Sequence, residues 1–206
     1  MVNKRLFLVI LILVFISSFV FATDDYLVYP YSKTLDVISD VTQYTSLIAP
    51  AFIAIASNSL NDSIKLSVAY GTTILLTYAT RTIVKETVVR NRPYTTFGDF
   101  HGDYNKSFFS GHSALAFASA AFTQTVFSQK YKESKWKLPV TITTWSLAAT
   151  TAILRVASGS HYLSDVVVGS LVGSLFGFTI PFIANKISPT WQLGVGPNAV
   201  AFNVTY

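Results

Sequence analysis

The chain has 206 residues, enough for one domain with its own core. Half of it is hydrophobic (51%) and only 12% is charged, against about 25% in an average soluble domain, which points to a membrane or a very apolar helical core. The net charge of +5 suits anionic partners. The basic residues form no continuous stripe, which argues against nucleic acid, and the absence of cysteine excludes disulfides and thiolate metal sites.

Residues 1–22 have a short basic start at Lys4 and Arg5, an apolar centre and Val20-Phe21-Ala22 before Thr23. That is the layout of a secretory signal peptide, with an uncleaved first membrane helix as the alternative. Residues 23–187 are expected to form a helical core and residues 188–206 a separate tail. Within the core, stretches 41–61, 66–80, 113–128, 138–154 and 166–185 carry no charge. Each is long enough for a helix, and several approach the roughly 20 residues that cross a bilayer. The expected fold is all-α, a membrane-embedded bundle of about six helices counting the N-terminal one. Pro93 is expected to end the helix before it, because the residue preceding a proline is driven out of the α region.

Lys130, Lys132, Lys135 and Lys137 crowd one short loop against a single Glu133. Such an excess favours the cytoplasmic side, so residues 85–112 and 155–165 are expected together at the outer ends of the helices. In the tail, Val200, Phe202, Val204 and Tyr206 alternate with smaller or polar residues, a strand period.

Three clusters carry candidate chemistry. In "KETVVRNRP", Lys85 and Arg92 stand seven residues apart, about two helical turns, so both can face one oxyanion. In "SFFSGHSA", Ser110 offers a hydroxyl, Gly111 permits close backbone approach, and His112 opens an apolar helix whose free N–H groups form an anion site. In "RVASGSHYLSD", Arg155 precedes His161, and Asp165 follows His161 by four residues. That spacing puts the carboxylate on the imidazole's helical face, where it can fix the tautomer and leave the other nitrogen as nucleophile or base. Charged groups at the ends of apolar helices are costly unless they have partners or a task.

Together the clusters resemble the signature of the type 2 phosphatidic acid phosphatase superfamily, the lipid phosphate phosphatases. The pattern reads Lys85…Arg92-Pro93, then Phe109-Ser110-Gly111-His112, then Leu154-Arg155…His161…Asp165. All internal spacings fit over roughly residues 40–185. Phe109 replaces the usual Pro and Leu154 the usual Ser, and neither change removes a charged or catalytic group. The resemblance implies that Lys85, Arg92 and Arg155 clamp a phosphoryl group, with Ser110 and the Gly111 N–H completing the cradle. It further implies that His161 attacks phosphorus, Asp165 orients it, and His112 protonates the leaving oxygen and later activates water. No metal ligand set is visible and the family needs none, so no cofactor is expected.

The implied function is hydrolysis of a lipid phosphate or diphosphate at a membrane, with no obligate protein partner evident. A soluble periplasmic acid phosphatase of the same superfamily is a second reading, and a vanadium haloperoxidase a third, although such enzymes are typically much longer. A non-catalytic lipid-binding or transport protein would need neither His112, His161 nor Asp165. Phosphatidic acid, phosphatidylglycerophosphate, an isoprenoid diphosphate and a lipid A phosphate are all compatible substrates. Headgroup choice falls to residues 94–106, where His101 matches no position of the pattern and is expected at the rim.

Overall fold

The computed structural model describes residues 23–55, 57, 59–187, 190–196 and 199–205. Among them are five α-helices: α1 (Lys33–Ile55), α2 (Leu60–Thr87), α3 (Gly111–Gln129), α4 (Lys137–Ala157) and α5 (Leu163–Ile187). The expected N-terminal helix falls on residues 1–22, outside the described residues. A 3-10 turn (Pro93–Phe97) lies between α2 and α3. The tail pairs β1 (Thr190–Gly196) with β2 (Ala199–Thr205) in an antiparallel hairpin, Thr190 opposite Thr205 and Gly196 opposite Ala199.

The bundle is built around α3, which packs on α1, α2, α4 and α5. Its buried residues are mostly small, from Ser113 and Ala114 to Ala121. Against it lies the glycine face of α5. A Cβ on Gly173 would stand 1.9 Å from the Ala114 carbonyl oxygen, and one on Gly177 would stand 2.4 Å from that of Ala118. This is the small-residue packing by which helices approach closely in lipid, where apolar side chains gain little from leaving their surroundings.

The distribution of polarity is inverted relative to a soluble protein. The α5 residues turned inward are Ser164, Asp165, Val166, Gly169, Gly173, Gly177 and Pro181, while Leu171, Leu175, Phe178, Phe182 and Ile187 are exposed. On α1, Ser39, Gln43 and Ser46 are buried and Val37, Val41, Ile48 and Phe52 exposed. Many buried hydroxyls bond a carbonyl one turn back, as Thr73 does with Ala69 (2.9 Å) and Thr77 with Thr73 (2.8 Å), so they cost little inside the bundle. Helices α4 and α5 are long and apolar enough to cross a membrane by length and composition. An outer face of this kind is that of a membrane protein.

The end of α2 departs from expectation. The helix stops at Thr87, well before Pro93, and the Val88 N–H closes back on the Val84 carbonyl (2.8 Å). The next residues pair with a second extended segment: Arg90 N–H donates to Asn105 O (3.0 Å), Ser107 N–H to Arg90 O (2.9 Å) and Arg92 N–H to Tyr104 O (2.7 Å). This ribbon satisfies the backbone that a longer helix would have used. Lys85 and Arg92 therefore do not share a helical face; Arg92 reaches the site from the ribbon.

The close packing of α3 on α5 generates a first prediction. Gly173→Ala should destabilise the bundle by about 2 kcal/mol, because its methyl meets backbone that no rotamer can relieve. Gly71→Ala on α2, where a Cβ meets nothing within 4 Å, should be neutral or stabilising by up to about 1 kcal/mol. Thermal unfolding of both variants in detergent, monitored by size-exclusion chromatography, checks the contrast.

Candidate active site

His161 lies in the turn between α4 and α5. Gly159 shapes that turn with φ +71°, where a Cβ would come within 2.3 Å of the Tyr29 carbonyl oxygen, so only glycine fits. The His161 N–H then donates to Arg155 O (3.1 Å), which folds the turn onto the end of α4. His161 is 1% exposed. Burial, and after it the positive charges of Arg92, Arg155 and Lys85, hold its pKa well below the ordinary 6.5. Burial therefore favours the neutral ring, whose lone pair is free, over the imidazolium.

Asp165 sits in the first turn of α5 and is fully buried. It reaches back to accept the Tyr162 N–H (3.0 Å), the return half of a capping box. Its other partners are the Ser107 hydroxyl and Arg90 Nη1 (2.6 Å). The i,i+4 pairing expected on one helical face differs in detail. His161 precedes α5, and its Nδ1 faces Asp165 Oδ2 at 3.5 Å, at the outer limit of contact and without a hydrogen bond. Ser107 and the Tyr162 N–H already occupy that oxygen. Arg90 also holds Asp24 (2.7 Å) and Ser164 (2.7 Å) and lies over the Tyr162 ring at 4.3 Å.

The three expected cations come from different elements. Lys85, near the end of α2, is buried and donates to the Lys106 carbonyl. Arg92 donates through Nε to Asp103 O (3.0 Å) and through Nη1 to Ser160 O (3.2 Å). Arg155, in the last turn of α4, is 4% exposed; its Nη1 meets Asp36 and donates to Ser39 Oγ (3.1 Å). Arg155 Nε is buried without a hydrogen-bond partner. A buried N–H of this kind is costly unless an acceptor arrives.

Ser110 caps α3, accepting from the Ser113 N–H (3.4 Å) and the Ser113 hydroxyl (3.0 Å). With both bonds accepted, its own hydroxyl proton remains to be donated. The Ser110 N–H donates to Asp165 O (3.1 Å), so the N-termini of α3 and α5 adjoin. Gly111 faces Arg81: a Cβ there would stand 2.9 Å from Arg81 Nε. His112 Nε2 lies 2.9 Å from Asp40 Oδ1 on α1.

The structure links several of these residues directly: Arg92 donates to Ser160 O, the His161 N–H to Arg155 O and the Ser110 N–H to Asp165 O. Sequence reasoning passed over Arg81, Arg90, Ser107, Asp24, Asp36 and Asp40. The one local signal was the spacing of Asp36, Ser39 and Asp40, which places two carboxylates and a hydroxyl on one face of an otherwise apolar helix. His101 lies at the exposed rim, stacked on Tyr94 (4.4 Å between centroids) with Nδ1 2.7 Å from Asp99.

A helical bundle that exposes its apolar side chains and gathers cations and histidines at one end defines a class of membrane protein with a site for an anionic group. The match to known proteins is narrower. Residues 66–188 match the model of the PAP2 superfamily, and the chain belongs to that superfamily. A lipid A 4'-phosphatase of Porphyromonas gingivalis is 31% identical over 83 residues, 40% of this chain and 31% of that protein, so the match spans about a third of that relative's length. Two solved structures share the fold. A transmembrane PAP2 type phosphatidylglycerolphosphate phosphatase from Bacillus subtilis superposes with a TM-score of 0.58 at 24% identity, over 89% of this chain and 96% of that one. Aquifex aeolicus LpxE superposes with a TM-score of 0.54 at 22% identity, over 82% of this chain and 95% of that one.

Two predictions follow from the buried groups. Arg90→Met leaves the Asp165 and Asp24 carboxylates without their shared cation and should cost about 3 kcal/mol of stability, read as a lowered unfolding midpoint. The folded-state pKa of His161 is depressed, so the unfolded chain takes up its proton first as pH falls. This group's penalty on folding grows below about pH 6.5 and vanishes above it. Imidazole NMR of labelled protein, assigned with His161→Asn, should show His161 neutral at pH 6, where an exposed imidazole is mostly protonated.

Proposed function

We propose that this protein is a metal-independent phosphatase that hydrolyses a lipid phosphate or diphosphate through a phosphohistidine. The observation that carries this reading is a buried His161 beside two helix N-termini, with Arg155 and Arg92 bonded into its own turn. Arg155 Nε, buried and unpartnered, is ready for an acceptor. Cations and helix ends together favour a multiply charged anion over a neutral substrate.

In this reading Lys85, Arg92 and Arg155 hold the non-bridging phosphoryl oxygens, with the Ser110 hydroxyl and the Gly111 N–H on the α3 side. His161 forms a bond to phosphorus as the bond to the lipid oxygen breaks, and His112 gives that oxygen its proton. Asp165 faces the far nitrogen of His161 and balances the positive charge that develops on the ring. Water then attacks the phosphohistidine with His112 as base, releasing inorganic phosphate and restoring both histidines.

The lysine-rich loop between α3 and α4 favours an orientation with that loop in the cytoplasm and the site facing outward across the cytoplasmic membrane. A lipid would then keep its chains in the bilayer and present its phosphate at the helix ends. Two of the relatives, a lipid A 4'-phosphatase and a phosphatidylglycerolphosphate phosphatase, take their names from molecules of this class.

Purified protein should release phosphate from at least one of phosphatidic acid, phosphatidylglycerophosphate, an isoprenoid diphosphate or lipid A, with chelator present. His161→Ala should fall to background, while His112→Ala should retain its rate best on an aryl phosphate, whose leaving oxygen needs no proton. Wild-type rates in His161→Ala would remove it as the nucleophile. For orientation, cysteines placed singly at Asn105 and Ser134 should be labelled and unlabelled, respectively, by an impermeant thiol reagent on intact spheroplasts; the reverse pattern would overturn the outward-facing site.

A further inference from the structure

We propose that Asp40 on α1 is a positioning residue for His112, holding the ring in place and keeping a proton on it for delivery to the leaving oxygen. The inference rests on the phosphatase reading above and adds to it a group that lies outside the three motif clusters.

The geometry is direct. Asp40 Oδ1 stands 2.9 Å from His112 Nε2 and 3.6 Å from Arg155 Nη1. The Arg155 guanidinium is held more tightly by Asp36, one helical turn before Asp40, which also accepts the Ser160 hydroxyl (2.8 Å) and the Tyr31 hydroxyl (3.2 Å). The two carboxylates of α1 thus divide the work: Asp36 braces Arg155, and Asp40 is left to the histidine.

His112 needs such a partner. An acid must carry a proton when the substrate arrives. The charged groups around this ring are Arg155 from α4, Arg92 from the ribbon, Arg81 from α2, and Asp36 and Asp40 from α1, with the His161 ring nearby. Burial first, and then the three cations, drive the proton off, with Asp36 opposing them. Asp36 is committed to Arg155, so Asp40 is the carboxylate in direct contact with the ring. With the Nε2–H of the imidazolium donated to Asp40, the Nδ1–H is the proton passed to the leaving oxygen. That transfer leaves a neutral ring, which takes a proton from the attacking water in the second step.

The test compares Asp40→Asn, which keeps shape and an acceptor but removes the charge, with Asp40→Glu, His112→Ala and the double variant Asp40→Asn/His112→Ala. Two substrates are used, a lipid phosphate monoester with an alkyl leaving group and p-nitrophenyl phosphate. Asp40→Asn should lower kcat on the lipid at least tenfold with KM little changed, and lower the aryl rate less than threefold. The basic limb of the kcat–pH profile should move down by about one pH unit, as expected for a partly solvated ion pair. Asp40→Glu should recover part of the loss, and the double variant should be no slower than His112→Ala, as for two groups acting as one. Equal losses on both substrates with an unmoved pH profile would make Asp40 merely structural, and an unchanged kcat would remove it altogether; either result overturns the proposal. If wild type and His112→Ala are equally active on the lipid, the phosphatase reading of His112 fails instead. Unfolding midpoints of all variants distinguish misfolding from loss of function, and a misfolded Asp40→Asn beside a folded, fully active Asp40→Glu would count against a role specific to the aspartate.

Discussion

The backbone-to-backbone contact of α3 with α5 is the constraint on which the rest depends. Gly169 and Gly173 bring α5 against the carbonyls of Ser110 and Ala114, so close that a Cβ on either would stand 2.5 Å or less from a carbonyl oxygen. That approach fixes the two helix N-termini beside one another, locked by the Ser110 N–H on the Asp165 carbonyl. Ser110, Gly111 and His112 begin one helix; His161 and Asp165 flank the start of the other. A bulkier interface would separate them, and the motif spacing in the sequence would then bring nothing together.

Two positive helix ends at one point, with Lys85, Arg92 and Arg155 added, would repel one another in an apolar bundle. The opposing charges come from outside the motifs. Asp24 and Asp165 hold Arg90, while Asp36 and Asp40 hold Arg155 and His112. Around the site five cations, Arg81, Lys85, Arg90, Arg92 and Arg155, face four carboxylates, Asp24, Asp36, Asp40 and Asp165. The basic and acidic side chains thus interleave, which braces the helix ends. The depressed pKa of His161 follows from the same arrangement, because burial and then the charges of Arg92, Arg155 and Lys85 disfavour a further positive charge there.

The sequence revealed the motif residues because their chemistry is unusual in an apolar chain: histidines, arginines and a carboxylate at the ends of uncharged stretches. The five described helices were likewise legible from those stretches. What it hid were partners joined across long separations. Asp24 meets Ser164 across 140 residues, Arg155 meets Asp36 across 119, and Ser107 meets Asp165 across 58; no periodicity records such pairs. The end of α2 was misplaced for a related reason. Pro93 is a genuine barrier to helix, but the ribbon pairing of residues 90–92 with 104–107 competes successfully for the backbone before the proline is reached.

Membrane burial explains why so much of this polar framework is tolerated. In water, a serine or threonine facing the core would exchange good solvation for one internal bond. Here the alternative to facing inward is hydrocarbon, so Ser39, Ser46, Thr73, Thr77 and Thr151 turn to the bundle interior and bond their own helices. The small side chains that keep helices close are thus the same ones that supply internal hydrogen bonds. Long apolar residues such as Leu171, Leu175 and Phe178 are left to the outer face. A chain under this rule can concentrate its charges only where the helices end, and it is there that Arg155, His161 and Asp165 stand.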